Sequence, residues 1–222
     1  MNVFIIFAHA EPQSYNGALY RTAQETLRAG GHDVATSDLH AMNFDPISDR
    51  RNFTSVKDGE YLKQQAEEMH ASETGSFVPD LDAEIAKVEA SDLMIWQFPL
   101  WWFGLPAILK GWVDRAFAMG RTYGGGRVYD TGVFRGKRAM LSLTTGGPAA
   151  AYAKDGVTGD IDAMLRPIQR GILGFVGFDV LAPNIFFGPA RATDEARATG
   201  LERYAARLRG IDGEAPIDTG RY

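Results

Sequence analysis

Short apolar runs alternate with amphipathic helical stretches along this chain, and this alternation constrains the fold more than any other feature. Residues 2–8 are Asn-Val-Phe-Ile-Ile-Phe-Ala, a β-branched and aromatic run that is typical of a strand buried on both faces. The stretch 16–29 follows with helical spacing and ends at two glycines, and 33–39 predicts a second, weaker strand. A strand, a helix and another strand in this order predict a parallel sheet.

The same alternation continues through the rest of the chain. Strands are predicted at 2–8, 33–39, 92–98, 138–144 and 178–186, and helices at 16–29, 58–69, 80–90, 106–119, 161–173 and 193–209, with a polar loop over 71–78. We therefore predict a single doubly wound α/β domain over residues 1–210, with a five-stranded parallel sheet. The order 2-1-3-4-5 is expected by analogy with this fold class. Residues 211–222 are predicted to form a loose tail.

The composition excludes several kinds of chemistry. The 222-residue chain has no cysteine, which excludes disulfides, thiol nucleophiles, dithiol redox chemistry and cysteine-ligated metals. A redox function would therefore need an organic cofactor, and we predict no metal site. The formal net charge of −5 argues against nucleic acid as a partner. Because we find no basic segment typical of a signal peptide and no apolar stretch of the ~20 residues that span a membrane, we expect a cytoplasmic protein without direct membrane insertion.

Three unusual loops follow the predicted strands 1, 3 and 4, at the ends where parallel α/β sheets bind ligands. The loop 9–16 opens onto a helix N-terminus, where Ser14 and Asn16 suit a pyrophosphate, although either residue could be only a helix cap. The loop 99–104 carries three consecutive aromatic residues, which suit a flat conjugated ligand, although one of its two tryptophans could pack in the core. The loop 144–147 could turn its amides toward a ligand or be an ordinary turn.

Several stretches resemble one enzyme family. Residues 97–112, Gln-Phe-Pro-Leu-Trp-Trp-Phe-Gly-Leu-Pro-Ala-Ile-Leu-Lys-Gly-Trp, are similar to the central signature of the NAD(P)H:quinone oxidoreductases, also called DT-diaphorases. Supporting stretches lie in the same order over about residues 2–210, at 8–16, 38–47, 143–147 and 167–178. The resemblance implies a flavodoxin-like fold, FAD as cofactor, NAD(P)H as co-substrate, and a homodimer with interfacial active sites. It also implies ping-pong reduction of a small-molecule quinone by two-electron hydride transfer through flavin N5.

The resemblance also implies which residues form the site. The cofactor-binding positions are His9, Ser14, Tyr15, Asn16, Pro99, Leu100, Trp101, Trp102, Phe103, Thr144, Thr145, Gly146, Gly147, Tyr152 and Arg197, with Asp114 also matched near the adenine end. The substrate-binding positions are Trp102, Phe103, Tyr123, Gly146, Gly147 and Phe175. Of these, Tyr123 and Phe175 would come from the second subunit. Tyr152 is the implied catalytic residue, because it matches a tyrosine that donates a hydrogen bond near flavin N1 and O2, where negative charge grows during reduction.

Two positions depart from the family pattern, and other interpretations stay open. At Gly125 the family often carries another pocket tyrosine, so we expect a quinone pocket that is wider or less aromatic there. A histidine that supports the catalytic tyrosine in mammalian-type members is replaced by Thr158, which cannot become cationic. Tyr152 would then act alone, with water, or with a basic residue such as Lys154, or it could be a surface tyrosine. Tyr123 could be an exposed residue of a glycine-rich turn. Two other functions fit the resemblance, a soluble regulatory flavoprotein subunit of a membrane potassium-efflux transporter and an FMN-dependent azo or nitro reductase. The physiological quinone and the choice between NADH and NADPH stay open.

Overall fold

A parallel sheet with helices on both faces forms the protein in the computed structural model, which describes residues 1–220. The strands are β1 (Asn2–Phe7), β2 (Asp33–Asp38), β3 (Leu93–Pro99), β4 (Arg138–Thr145), β5 (Asp179–Val180) and β6 (Asn184–Phe187). The order β2-β1-β3-β4-β5 confirms the predicted doubly wound, flavodoxin-like fold class. All of these strand pairs are parallel.

The helices cover the two faces of the sheet unequally. They are α1 (Tyr15–Ala29), α2 (Gln64–Thr74), α3 (Pro79–Ala90), α4 (Ala107–Ala116), α5 (Ile161–Ile168) and α6 (Asp194–Arg209). Helices α1 and α6 pack together over one face, and α3, α4 and α5 supply the larger core on the other face. Helix α1, for example, meets the sheet through an apolar stripe at helical spacing formed by Leu19, Ala23 and Leu27.

The central strands bury both of their faces. Alternate residues of β3 point to opposite sides, so Trp96 lies in the larger core and Ile95 in the core beneath α1 and α6. In the larger core the Trp96 ring meets Trp112 of α4 edge to face, with ring centres 6.2 Å apart, and the Phe4 ring centre lies 6.0 Å from that of Trp112. This double burial explains why the sequence of these strands is continuously apolar.

The segment predicted as one last strand, 178–186, forms two short strands. Both β5 and β6 pair with β4, and Pro183 lies between them. Proline has no N–H group to give to a neighbouring strand, so the ladder stops and resumes after it. As a result β6 lies beside the last residues of β4, with Thr145 opposite Phe187, and forms one side of the sheet edge where ligands bind.

Helix α2 begins later than its predicted position at 58–69. The Asp58 side chain accepts backbone N–H groups at 2.9 and 3.1 Å, which makes a local turn instead of a helical one. The buried Glu67 carboxylate accepts two further backbone N–H groups at 2.6 and 2.9 Å and holds this turn against the helix. The helix therefore starts at Gln64 and continues into the predicted loop until Gly75, whose φ of 67° ends it.

The predicted helix 161–173 is also interrupted. It is α-helical only to Ile168, and a wider π-helical turn follows over Gln169–Gly174. Pro167 lies inside this helix and cannot donate to the preceding turn, which accounts for the change of hydrogen-bond pattern.

The chain after α6 lies against the domain as far as the structure describes its contacts. Ile211 is fully buried, and the Ile217 N–H donates to the Val180 carbonyl at 2.8 Å. The last two residues of the tail predicted at 211–222 lie outside the described residues. Among residues 1–220, none of the helices has both the length and the apolar character that crossing a membrane requires.

Candidate functional site

A cavity of about 770 Å³ opens at the carboxyl ends of β1, β3 and β4. Because those ends lie at one edge of the parallel sheet, the three loops singled out in the sequence meet around it. The predicted site residues that line this cavity are His9, Ser14, Tyr15, Asn16, Pro99, Leu100, Trp101, Thr144, Thr145, Gly146 and Arg197. Further lining residues that the sequence did not indicate are Gln13, Ala18, Pro189, Ala190, Asp194, Ala198 and Leu201.

The first loop is fixed to the N-terminus of α1. Ser14 caps this helix, since its Oγ accepts the Gly17 N–H at 3.1 Å, and it also lines the cavity. Gly17 lies so close to the loop that a Cβ there would be 2.0 Å from the Pro12 carbonyl oxygen. The positive end of the helix dipole therefore opens onto the cavity, where it favours an anionic group.

The backbone of Glu11 can form a hydrogen bond with the His9 ring in either of its protonation states. Its Nδ1 lies 3.0 Å from the Glu11 N–H and 3.1 Å from the Glu11 carbonyl oxygen. In the neutral ring Nδ1 accepts from the N–H, and in the cation it donates to the carbonyl. Burial is the largest influence and lowers the pKa of His9 below its ordinary value of 6.5. Without a ligand, His9 is therefore neutral at pH 7.

A row of buried side chains joins the three loops beneath the cavity. Gln97 Nε2 donates to Asn16 Oδ1 at 2.8 Å, and Asn16 Nδ2 donates to Thr144 Oγ at 2.7 Å. The neighbouring Thr145 uses its own hydroxyl within the loop, donating to the Gly147 carbonyl at 2.9 Å. Asn16 of α1 thus links β3 to β4 through its side chain, and it also lines the cavity.

The aromatic loop has a different shape from the one expected. Trp101 and Gly104 exchange backbone hydrogen bonds at 3.3 and 3.0 Å, and the two residues between them have φ values of 49° and 61°. This is a tight turn of the kind that normally uses asparagine and glycine, here with Trp102 and Phe103 at its centre. Only Trp101 lines the cavity, whereas the Trp102 side chain is 96% exposed. The three rings therefore do not stack on one ligand within a single chain.

This geometry predicts that Trp102→Gly leaves the free chain at least as stable as the wild type. The substitution removes almost no packing and relieves a left-handed backbone, which is worth up to about 1 kcal/mol in unfolding free energy. Urea unfolding of flavin-free protein, at a concentration low enough for it to sediment as a monomer, measures the change. Trp101→Gly is the matched control, because Trp101 is half-exposed, lines the cavity and has no positive φ, so a loss of stability is expected there. A loss of more than about 1 kcal/mol for Trp102→Gly would contradict this account of the turn.

The opposite wall of the cavity is built from α6 and the turn before it. The Tyr15 hydroxyl donates to the Arg197 carbonyl at 3.0 Å, and burial raises the pKa of Tyr15 to about 12, so it remains a donor at neutral pH. The Arg197 guanidinium donates to the Pro189 and Ala192 carbonyls at 3.0 and 2.6 Å and pairs with Asp194. Arg197 thus shapes this wall through the backbone.

Tyr152 lies outside the cavity, next to its rim. It ends a short helical turn, Ala149–Tyr152, and its ring is 5.8 Å from that of Phe187. A Cβ on Gly147 would be 3.3 Å from the Tyr152 ring, so this tyrosine adjoins the third loop. The Thr158 N–H donates to the Ala151 carbonyl at 2.9 Å, which places the departure from the family pattern beside the same turn.

The remaining predicted residues lie in a second cavity of about 570 Å³. Tyr123 and Phe175 meet there edge to face with ring centres 5.6 Å apart, and Asp114 also lines this space. Gln65 donates to the Tyr123 hydroxyl at 3.3 Å, and the buried Glu68, whose pKa is raised by desolvation, lies 3.5 Å from it. Tyr123 and Phe175, the residues expected to serve a second subunit, are therefore grouped together and separate from the first cavity. Asp114, matched near the adenine end, lies with them rather than with Arg197. Neither Gln65 nor Glu68 carries a motif by which the sequence could have indicated it.

Comparison with known proteins gives matches over almost the whole chain. A family profile described as having a flavodoxin-like fold matches residues 1–208. NAD(P)H dehydrogenase (quinone) 1 of Rattus norvegicus is 44% identical over 214 residues, which cover 96% of this chain and 78% of the rat protein. Ribosyldihydronicotinamide dehydrogenase (quinone) of Mus musculus is 44% identical over 216 residues, covering 97% and 94%. The solved structure of a proposed quinone reductase from Klebsiella pneumoniae superposes with a TM-score of 0.94 at 40% identity, covering 98% of this chain and 87% of that one.

Proposed function

Because this chain belongs to the NAD(P)H:quinone oxidoreductase family of flavodoxin-like proteins, we propose that it is a cytoplasmic, homodimeric, FAD-dependent enzyme that reduces quinones with NAD(P)H. The reaction would be a two-electron, ping-pong hydride transfer. The observation that carries the proposal is the cavity at the carboxyl ends of β1, β3 and β4, where a helix N-terminus, an apolar wall and a threonine hydroxyl face one ligand space. The two mammalian relatives are both named as quinone dehydrogenases, one for NAD(P)H and one for ribosyldihydronicotinamide.

The residues of the first cavity fit a flavin. Its volume of about 770 Å³ lies in the range of cofactor pockets. The N-terminus of α1 with Ser14 would hold phosphate, and Pro99, Leu100 and Trp101 supply a wall for a conjugated ring. The third loop contributes Thr144 to the lining. Its backbone and hydroxyl groups supply polar contacts at the ring edge.

The extent of the cavity supports FAD over FMN. Beyond the N-terminus of α1, the cavity continues along an apolar wall made by Pro189, Ala190, Ala198 and Leu201. The single phosphate of FMN would end at the helix N-terminus and leave this wall uncovered. The adenosine of FAD would cover it, and burying that apolar surface would contribute to affinity.

The protein's contribution to the chemistry is positioning and electrostatics. A bound flavin supplies a hydride acceptor that can pass the hydride on to a quinone. Tyr152, at the rim beside Gly147, would donate a hydrogen bond where negative charge accumulates on that acceptor. Thr158 stands beside the turn that carries Tyr152, but its hydroxyl cannot supply the positive charge of a histidine.

Two features support the homodimer. Trp102 and Phe103 are 96% and 54% exposed, although each is a large aromatic residue in the loop that supplies Trp101 to the cavity. Tyr123 and Phe175 form an aromatic wall elsewhere on the chain, in the second cavity. A second copy that brings its Tyr123 and Phe175 to the aromatic loop would cover these rings and complete the quinone pocket. Sedimentation of the wild type and of Trp102→Lys tests this, because a buried lysine would favour monomers.

The proposal as a whole is tested on the purified protein. Its released flavin is identified by mass spectrometry, and then NADH, NADPH or dihydronicotinamide riboside is added without air, followed by menadione. Stoichiometric FAD that is bleached by a nicotinamide and restored by the quinone is the expected result. FMN would contradict the cofactor assignment and favour the azo or nitro reductase. FAD that is barely reduced would favour the regulatory subunit, and a protein that binds no flavin even after reconstitution would refute the site.

FAD is expected to bind more tightly as the pH falls through the range in which His9 takes up a proton on binding. Burial lowers the pKa of His9 in the empty cavity, and the anionic phosphates would favour the cation and raise that pKa. Binding then takes up a proton, so affinity rises with acidity between the two pKa values, by at most about tenfold per pH unit. Quenching of flavin fluorescence on titration with flavin-free protein gives the dissociation constant at each pH. His9→Gln should remove the slope, and an equal slope in that variant would assign the effect to another group.

A further inference from the structure

Gln97 is a buried polar residue with no direct part in lining the cavity. It is 1% exposed and lies in β3, between the apolar residues Trp96 and Phe98. Its Oε1 is buried without a hydrogen-bond partner among the described residues. An unpaired buried oxygen costs stability, so an apolar residue of similar size would suit the core better. The advantage of a glutamine at this position must therefore come from the hydrogen bond that its amide nitrogen donates.

The amide nitrogen of Gln97 starts a row of hydrogen bonds that ends at the cavity. It donates to Asn16 Oδ1, and Asn16 donates in turn to Thr144 Oγ, at 2.8 and 2.7 Å. All three side chains are buried. Because Thr144 Oγ accepts from Asn16, the threonine's own proton points to another acceptor. Among residues 1–220 no hydrogen bond uses that proton, whereas Thr145 gives its proton to the Gly147 carbonyl. Thr144 also lines the cavity.

The direction of this row depends on the orientation of the Asn16 amide. Rotating that amide by half a turn would exchange its oxygen and nitrogen, and Asn16 would then accept the Thr144 proton instead of donating to Thr144. Thr144 would offer only lone pairs to the cavity. The Gln97 N–H opposes rotation of Asn16 alone, because it would then face the Asn16 N–H groups and lose its acceptor. Rotation of both amides together would put the Gln97 NH2 group where Oε1 now lies without a partner, and buried N–H groups are left unpaired less readily than carbonyl oxygens.

We propose that Gln97 is a positioning residue that fixes the Asn16 amide so that Thr144 donates its hydroxyl hydrogen bond to an acceptor atom of the bound flavin. The inference rests on the proposed flavin site and deepens it. Gln97, which lies outside the cavity, would thereby determine whether the Thr144 hydroxyl donates or accepts a hydrogen bond at the cavity surface. It also explains why a glutamine with an unpaired oxygen stands in an otherwise apolar strand.

The test is a double-mutant cycle on flavin affinity. Gln97→Met should raise the FAD dissociation constant of reconstituted flavin-free protein about threefold to tenfold, the usual effect of losing one hydrogen bond. Its thermal unfolding temperature without flavin should stay about the same, because the substitution removes one unpaired buried oxygen, Gln97 Oε1, and leaves another, Asn16 Oδ1. Thr144→Val should weaken binding to a similar degree, and Thr144→Ser should restore it. Because Gln97 acts through Thr144, adding Gln97→Met to Thr144→Val should cause no further loss.

The matched control is Ser142→Ala, which removes another buried hydroxyl of β4 that bonds to the Asn184 amide at 3.0 Å and does not line the cavity. Its FAD dissociation constant should equal that of the wild type. An unchanged constant for Gln97→Met, or an equal loss in the Thr144→Val background, would overturn the inference while leaving the proposed function intact. A wild type that binds no flavin would overturn the proposed function and this inference together, before any variant is compared.

Discussion

Replacing Gly17 with alanine is expected to abolish flavin retention and to lower the free energy of unfolding by about 3 kcal/mol. A Cβ at this position would lie 2.0 Å from the oxygen and 2.8 Å from the carbon of the Pro12 carbonyl. Both atoms belong to the backbone, and the oxygen is also held by Arg21 Nη1 at 2.6 Å. The first loop would have to separate from α1, which would break the Ser14 cap and turn the helix N-terminus away from the phosphate position.

Urea unfolding and the ratio of flavin to protein after purification measure the two parts of this result. Gly59→Ala is the matched control, because no atom lies within 4 Å of the added Cβ and the backbone there has no positive φ. That variant should stay within about 0.5 kcal/mol of the wild type and keep its flavin. Full flavin content in Gly17→Ala would show that close contact between the loop and α1 is not needed for binding.

Tyr152→Phe is expected to slow hydride transfer by at most about 10²–10³-fold, with flavin content unchanged. The substitution removes one hydroxyl donor and keeps the ring, which packs 5.8 Å from Phe187 and next to Gly147. A donor aimed at developing charge stabilises the transition state more than the ground state, so the rate should fall while binding does not.

Stopped-flow reduction by NADH or NADPH without air gives this rate directly. Tyr20→Phe is a suitable control, because that ring stacks on Phe7 at 4.6 Å and does not line the cavity. Its reduction rate should equal that of the wild type. The same rate for Tyr152→Phe would reject the catalytic assignment and leave Tyr152 as a rim residue that packs on its neighbours.

The positions of the central strands could be predicted from sequence because double burial leaves a continuous apolar run, whereas their order was expected by analogy with the fold class. The strand at 92–98 is an example, and its observed bounds, Leu93–Pro99, differ by one residue at each end. Details that depend on single hydrogen bonds could not be predicted in the same way. The start of α2 depends on where the Asp58 and Glu67 carboxylates find backbone donors, and helical spacing alone does not contain that information.

The convergence of the three loops could be predicted from strand order, but the direction of each side chain could not. Three aromatic residues in a row indicated one stacking surface, yet the turn leaves Trp102 and Phe103 exposed, and of the three only Trp101 lines the cavity. A left-handed backbone at two aromatic residues is unfavourable locally, so only the surrounding structure can impose it. The sequence does mark Gln97, as a single polar residue within an apolar strand, whereas no pattern in the sequence marks Glu68.

The hydrogen bond between Tyr15 and Arg197 joins residues that are 182 positions apart in the chain. One wall of the cavity therefore comes from the start of the sequence and the opposite wall from near its end. During synthesis the first loop and α1 emerge long before α6, so the pocket can form only after α6 has been synthesised. Flavin cannot guide the early steps of folding and instead stabilises the finished domain. Detachment of α6 alone would open the pocket, so loss of flavin should report local unfolding of that helix before the sheet itself unfolds.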